Sequence, residues 1–207
     1  MAARRARGRP NQRQRTRQDL LNAAARLLKQ GAMPSIEAVA EAAMVSRATA
    51  YRYFPTLDAL LVEAPLEDEV PDPEAVFAGI RSTEPEERID AAEASLHAMV
   101  YRNESQLRRL LASSLSRPSG ADAVVPVRQN RRSPLIHAAL APIRTRLSKS
   151  QYDRLCAALA VYFGPEAMVV FRDVLQLDAA QARKAKSWAV RALVRSALKD
   201  ARRKRPA

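Results

Sequence analysis

Arg47, Thr49, Tyr51, Arg52 and Tyr53 crowd into the segment SRATAYRYF, residues 46–54. Guanidinium, hydroxyl and phenol groups so close together donate hydrogen bonds to base edges and phosphate oxygens. Nothing in the chain signals catalysis. A nucleophile elbow, an HExxH run, a P-loop and a dinucleotide fingerprint are all absent. The glycines stand at 8, 31, 79, 120 and 164, never at the spacing of a phosphate-cradling loop. His97 and His137 lie far apart beside a single cysteine, Cys156, so no metal site and no cofactor are expected. His137 and Cys156 read as structural residues. Carboxylates scattered through the chain are the only catalytic candidates left, and no pattern singles them out.

A cluster of this kind acts on a duplex only if a short helix holds it outward. The surrounding pattern predicts that helix. Ser35 caps a short helix whose Ile36, Val39, Ala40 and Ala43 face inward, the chain turns at Met44-Val45, and Ser46 caps a third helix through Phe54. Ala40 is small where the two helices cross. Pro55 ends the third helix and Thr56 caps a fourth, with Leu57, Leu60, Leu61 and Val62 apolar. Ahead of them, a first helix is expected to start at the N-cap Thr16, carry Leu20, Leu21, Ala24, Leu27 and Leu28 on one face, and stop at Gly31. These are the proportions of a helix-turn-helix; an ordinary helical hairpin has the same pattern.

Charge sharpens the choice. The net charge of +13 is concentrated at the two ends. Residues 1–17 hold seven arginines and no acid; residues 183–205 hold ten basic residues and one acid, Asp200; the remaining chain carries −3. Residues 1–15, with Arg13 and Arg15 near their end, read either as a solvated tail or as a flexible basic arm that follows a nucleic-acid backbone or minor groove. Residues 203–207 read as a basic tail. One cysteine suggests a reducing compartment. The chain has no run of about 18 apolar residues and no apolar stretch behind its basic start, so neither a membrane span nor a secretory signal is expected.

The chain reads as all-α, with no alternating strand pattern and no hairpin turn signal. Residues 63–74 hold six acids and three prolines and read as a connector between domains over 16–62 and 75–202. Thr83 and Glu86 suggest a capping box before a helix to about Arg102; residues 104–116 continue helical; 117–130 read as a loop. Ser133-Pro134 starts a further helix, and 149–175 suggest one long apolar helix with a kink at Gly164-Pro165. Asp178 and Gln181 form a second capping box before a helix to about Arg202.

The stretch Thr16–Leu61 resembles the DNA-binding domain of the TetR (tetracycline repressor) family. The match is carried by Val39-Ala40, Ala42-Ala43, Val45-Ser46, Thr49, Tyr51, Tyr53-Phe54 and Ala59-Leu60. The resemblance implies a helix-turn-helix three-helix DNA-binding domain followed by a larger helical ligand-binding and dimerisation domain. It implies that Arg47, Ala48 and Tyr51 face bases, that Thr49 and Tyr53 meet phosphates, and that Arg52 serves either. Ser35 and Ser46 join this DNA-binding set as caps. Three positions depart from the family pattern: Met44 stands for the usual turn glycine, Ala48 for a common glycine, and Leu57 for a phosphate-binding lysine. The basic arm is the expected substitute for that lysine.

The second half carries a weaker resemblance, in Gly164-Pro165-Glu166-Ala167, Arg172-Asp173-Val174, Leu177-Asp178 and Trp188-Ala189. It implies a homodimer paired through the last two long helices. Small residues Ala185, Ala189, Ala192 and Ser196 share one face of the last helix, which permits close approach of a partner helix or of a neighbour in the same chain. Lys184, Arg191, Arg195 and Arg202 form a basic stripe there, read as a solvated outer face. An effector pocket is expected around His97, Met99 and Tyr101 on one helix and Phe163, Met168, Phe171 and Trp188 further on, with Phe77, Leu96 and Leu110 also candidates. Plain core is the competing reading of each. The implied partners are double-stranded DNA bearing a palindromic operator, a second copy of the chain, and an apolar or amphipathic small molecule, all in the bacterial cytoplasm. The implied function is a repressor released by its effector, with coupling through the fourth helix. The alternative is a basic architectural protein that coats DNA with neither sequence preference nor effector.

Overall fold

The computed structural model describes residues 8–31, 33–116 and 128–203. Every regular element among them is helical. The chain divides into two compact units: one takes residues up to Glu69 together with Ser105–Asn130, and the other takes Val70–Glu104 with Arg131 onward. Residues 105–130, expected to belong with the second half, thus group with the first.

In the first unit, α1 (Gly8–Lys29) begins well ahead of the expected cap at Thr16. The Thr16 hydroxyl donates back to the Gln12 carbonyl at 3.0 Å, so it sits inside a helix rather than starting one. Residues 8–15, read from the sequence as part of a flexible arm, are the first two turns of α1; residues 1–7 lie outside the described region. Gly31 ends α1 at φ 80, in the left-handed region that glycine adopts freely. Three short helices follow: α2 (Ile36–Ala42), α3 (Arg47–Tyr53) and α4 (Leu57–Glu63). Each starts where expected, because Ser35, Ser46 and Thr56 accept from the backbone amides of Ala38, Thr49 and Ala59. A short 3-10 turn, Ala64–Glu67, completes the set.

One apolar cluster holds these helices: Leu20, Leu21 and Ala24 of α1, Ile36, Val39 and Ala40 of α2, Tyr53 and Phe54 at the end of α3, and Leu60 of α4. Fully burying one such aliphatic side chain stabilises by roughly 1.5–3 kcal/mol, so this small unit depends on a few residues. The acidic connector is not solvated throughout. Glu63 is buried, and its carboxylate takes the Arg17 guanidinium of α1 at 2.6 Å and the Gln129 backbone amide at 3.0 Å. Arg17 also lies over the Phe54 ring, 4.2 Å from its centroid.

The second unit contains α5 (Pro73–Ala78), α6 (Pro85–Arg102), α8 (Arg132–Leu140), α9 (Lys149–Ala160), α10 (Pro165–Val169) and α11 (Ala179–Arg203). The helix α7 (Glu104–Leu115) lies in the first unit from Ser105 on. α6 packs on both α11 and α8, and α9 touches α8 and α11. Ile89, Leu96, Leu135, Leu140, Leu159 and Val190 are among the buried side chains between them.

The box at Thr83 and Glu86 does not form. Pro85, with its φ preset for a helix, takes the first helical position, so Glu84 becomes the cap and makes no side-chain cap bond. The box at Asp178 and Gln181 does form, with 2.9 and 2.8 Å bonds in both directions. The long helix expected over 149–175 is broken instead. α9 ends at Ala160, α10 starts at Pro165 and continues as a wider π turn over Val170–Val174, and the two segments meet at 44°. Arg132 bridges this break, donating to the Ala160 carbonyl at 2.9 Å and pairing with Glu166 at 3.0 Å. Gly164 leaves the room, since a Cβ there would lie 2.6 Å from Arg132 Nη2. The expected loop at 117–130 lies outside the described residues over 117–127, as does the tail over 204–207.

Candidate nucleic-acid interface

α2 and α3 are joined by the turn Ala43-Met44-Val45. The Val45 amide donates to the Ala40 carbonyl and the Met44 amide to Glu41, each at 2.9 Å. This crossed pair is a Schellman closure, which places residue 44 in the left-handed region. Met44 takes it at φ 54 with its side chain 94% exposed. The residue that replaces the usual turn glycine therefore adopts the glycine conformation, at a cost of about 1–2 kcal/mol in backbone strain.

The turn sets the outward face of α3. Ala50 and Tyr53 point inward, one helical turn apart, with Phe54 behind them. Arg47, Ala48, Tyr51 and Arg52 point out. Thr49 is half-buried; its hydroxyl lies 2.8 Å from the Ser46 hydroxyl, so the cap and the threonine are fixed together. Ser35 and Ser46 are exposed at their caps. Arg15 is exposed on α1 and Arg13 is half-buried there.

Tyr53 departs from the expected exposed set. Only 2% of it is accessible, because position 53 falls on the same helical face as Ala50 and joins the core cluster. The guanidinium of Arg52 lies 5.7 Å from its ring centroid. A tyrosine has an apolar ring with a polar tip, so its sequence position alone does not say which end is used.

One partner of this face was not anticipated. The Tyr51 hydroxyl donates to Glu37 Oε1 at 3.0 Å, across from α3 to the first turn of α2. Hydrogen bonds from its own backbone amide and from Tyr51 hold the Glu37 carboxyl below the usual carboxylate range. The same bond pushes the Tyr51 hydroxyl up. The residues are 14 apart, and only the α2–turn–α3 geometry brings them together.

The second unit has a separate polar cluster. Glu93 of α6 and Lys186 of α11 are both 1% exposed and lie 2.5 Å apart, with the Arg183 guanidinium 3.3 Å from the same carboxylate. His97 is 8% exposed, one turn along α6 from Glu93, and its ring lies 4.3 Å from the Tyr101 ring. Burial, with Lys186 and Arg183 nearby, lowers the His97 imidazole to about 4. His97 Nδ1 and the Tyr101 hydroxyl are buried without a hydrogen-bond partner. Met99, Phe163 and Met168 are core residues, and Phe171 is half-buried. Trp188 does not line an interior. It is 72% exposed, because the face of α11 that packs inward is Ala182, Lys186, Val190 and Val194. A shallow surface hollow lies beside it, lined by Arg183, Lys184, Ser187 and Arg191. The basic stripe is partly committed, since Arg191 pairs with Asp90 at 2.6 Å and Arg195 with Glu86.

His137 and Cys156 sit with Tyr152: His137 Nδ1 is 2.8 Å from the Tyr152 hydroxyl and 3.8 Å from Cys156 Sγ. Burial pushes the Cys156 thiol up. No group of three or more metal-ligating side chains occurs among the described residues. No single helix among them is long and apolar enough to cross a membrane.

A capped short helix, presented outward by a tight turn on a three-helix core, defines a helix-turn-helix DNA-binding domain. Residues 20–64 match the family model of bacterial regulatory proteins, tetR family. That match, confined to the helix-turn-helix unit, supports a DNA-binding transcriptional regulator. No curated protein and no solved structure matches it.

Proposed function

We propose that the chain is a homodimeric repressor that binds a palindromic operator and is released by a small-molecule effector. The observation that carries the DNA-binding part is the outward set Arg47, Ala48, Tyr51 and Arg52 on the Ser46-capped α3. A single short helix reads only a few base pairs. Two copies related by a two-fold axis read half-sites one helical turn apart, about 34 Å. Dimerisation is supported by the exposed apolar side chains of the second unit: Val161, Val170, Val174, Leu175 and Trp188. Exposed apolar side chains of this size suit burial against a second copy.

The effector reading is supported by His97 Nδ1, 3.9 Å from Glu93 Oε1, and the Tyr101 hydroxyl, which are buried without a hydrogen bond in a unit whose core includes Met99, Phe163 and Met168. Buried polar atoms in native proteins are nearly always satisfied, so a ligand or water belongs there. An amphipathic ligand supplies both the apolar body and the polar group that such a lining needs. Coupling of roughly 1–3 kcal/mol between this site and the operator changes affinity about 5- to 150-fold. The setting is the bacterial cytoplasm.

Footprinting of the purified protein on the DNA flanking its own gene tests the reading. A single protected palindrome supports the regulator. Uniform protection along the fragment supports a coating protein and overturns it.

A further inference from the structure

A phenol has one proton to donate and an oxygen able to accept. In this domain the proton is already in use. Tyr51 is 43% exposed on α3, and its hydroxyl donates to Glu37 Oε1 at 3.0 Å. Glu37 is itself acceptor-only, since a carboxylate with a lowered pKa carries no proton at neutral pH. The face that Tyr51 and Glu37 offer to solvent is therefore made of acceptors, one phenolic oxygen beside a carboxylate. Arg47 lies close enough to Glu37 to favour its charge, which limits the repulsion a carboxylate would feel from a phosphate backbone.

We propose that Glu37 is a specificity-determining residue that fixes the hydrogen-bond polarity of Tyr51, so that the pair reads a major-groove amino group. In the major groove only cytosine N4 and adenine N6 present amino donors. Guanine offers acceptors at O6 and N7, and thymine offers an acceptor at O4 and a methyl group. An acceptor pair favours cytosine or adenine at its base and rejects the oxygen edges of guanine and thymine. Without Glu37 the Tyr51 proton becomes free to turn outward, and the same residue then tolerates guanine or thymine. This inference rests on α3 being the helix that reads bases.

The test is a selection of randomised DNA duplexes by the full-length protein, run in parallel with Tyr51→Phe and Glu37→Ala. Tyr51→Phe identifies the base position that Tyr51 reads, as the one whose preference collapses. At that position the unmodified protein is expected to lose affinity when the major-groove amino group alone is deleted from the duplex, with purine in place of adenine or 2-pyrimidinone in place of cytosine. Glu37→Ala is expected to reduce that discrimination roughly 5- to 150-fold, the worth of one good base contact, and to bind the duplexes with and without the amino group nearly alike while other positions keep their preference. Unchanged affinity of the unmodified protein for the duplex lacking that amino group, an unchanged preference in Glu37→Ala, or a Tyr51→Phe variant with no lost position overturns the inference and leaves the regulator intact. Failure of the unmodified protein to select any motif overturns both. Both substitutions are at exposed or half-exposed sites, and an unchanged melting temperature confirms that each variant is folded.

Discussion

The Arg17 guanidinium and the Glu63 carboxylate meet at 2.6 Å with side chains only 2% and 1% exposed. They come from the ends of the DNA-binding unit, α1 and α4, 46 residues apart. The pair withdraws one arginine from the basic N-terminal run and one acid from the acidic connector. Removing one partner leaves the other charged and buried. Arg17→Met is therefore expected to destabilise the domain by roughly 3–5 kcal/mol, and Arg17→Met with Glu63→Leu to recover most of that loss. Urea denaturation followed by circular dichroism measures both. A single variant within about 1 kcal/mol of the parent shows that the pair is dispensable.

Met44 pays for a conformation that glycine adopts without strain. Replacing it should relieve about 1–2 kcal/mol of strain, less roughly 0.5–1 kcal/mol for the greater freedom of glycine in the unfolded chain. Met44→Gly should raise the melting temperature modestly, and Met44→Val, branched at Cβ, should lower it. A lower melting temperature for Met44→Gly contradicts the left-handed turn.

His97 is neutral in the folded protein, with its pKa lowered from an ordinary 6.5 to about 4. In the unfolded chain it binds a proton below about 6.5. Between those values the unfolded state holds more protons, so stability falls as pH drops from 6.5 toward 4 and is fully present above 6.5. The slope from this one group is at most about 1.4 kcal/mol per pH unit. His97→Gln should flatten the acid limb of a melting-temperature profile between pH 7.5 and 4.5. An acid limb identical to the parent's contradicts this account of the cluster with Lys186 and Arg183.

The arginines ahead of α1 can be separated from those within it. Deleting residues 1–7 removes three arginines and no described helix; deleting 1–14 removes five and cuts into α1. If the arginines neutralise phosphates, each lost contact lowers the slope of log affinity against log salt by about 0.9. Fluorescence anisotropy across a salt series reads this. Unchanged affinity and slope in the longer deletion contradict a role for the segment in backbone contact.

What could be read from the sequence was local. Ser35, Ser46 and Thr56 announce their helices because a cap involves residues three apart, and Gly31 announces a left-handed stop. Failures came where a local signal had a competitor. Thr16 is a good cap but bonds backward to Gln12 when the helix continues through it. Thr83 loses its role because Pro85 sets the helix start. Tyr53 and Trp188 are amphipathic aromatics, and whether each lies inside or outside depends on the helical face that the rest of the fold buries. The pairs Arg17–Glu63, Glu37–Tyr51 and Glu93–Lys186 join residues that are neighbours only after folding, and no spacing rule reveals them.

The central claim is that α3 reads sequence. It is tested most directly by comparing equilibrium binding of the protein and of Arg47→Ala to a selected duplex and to a scrambled duplex, at one fixed salt concentration. The unmodified protein should prefer the selected duplex by at least about 1,000-fold, and Arg47→Ala should lose much of that preference while keeping its affinity for the scrambled one. Equal affinity of the unmodified protein for the two duplexes would contradict it.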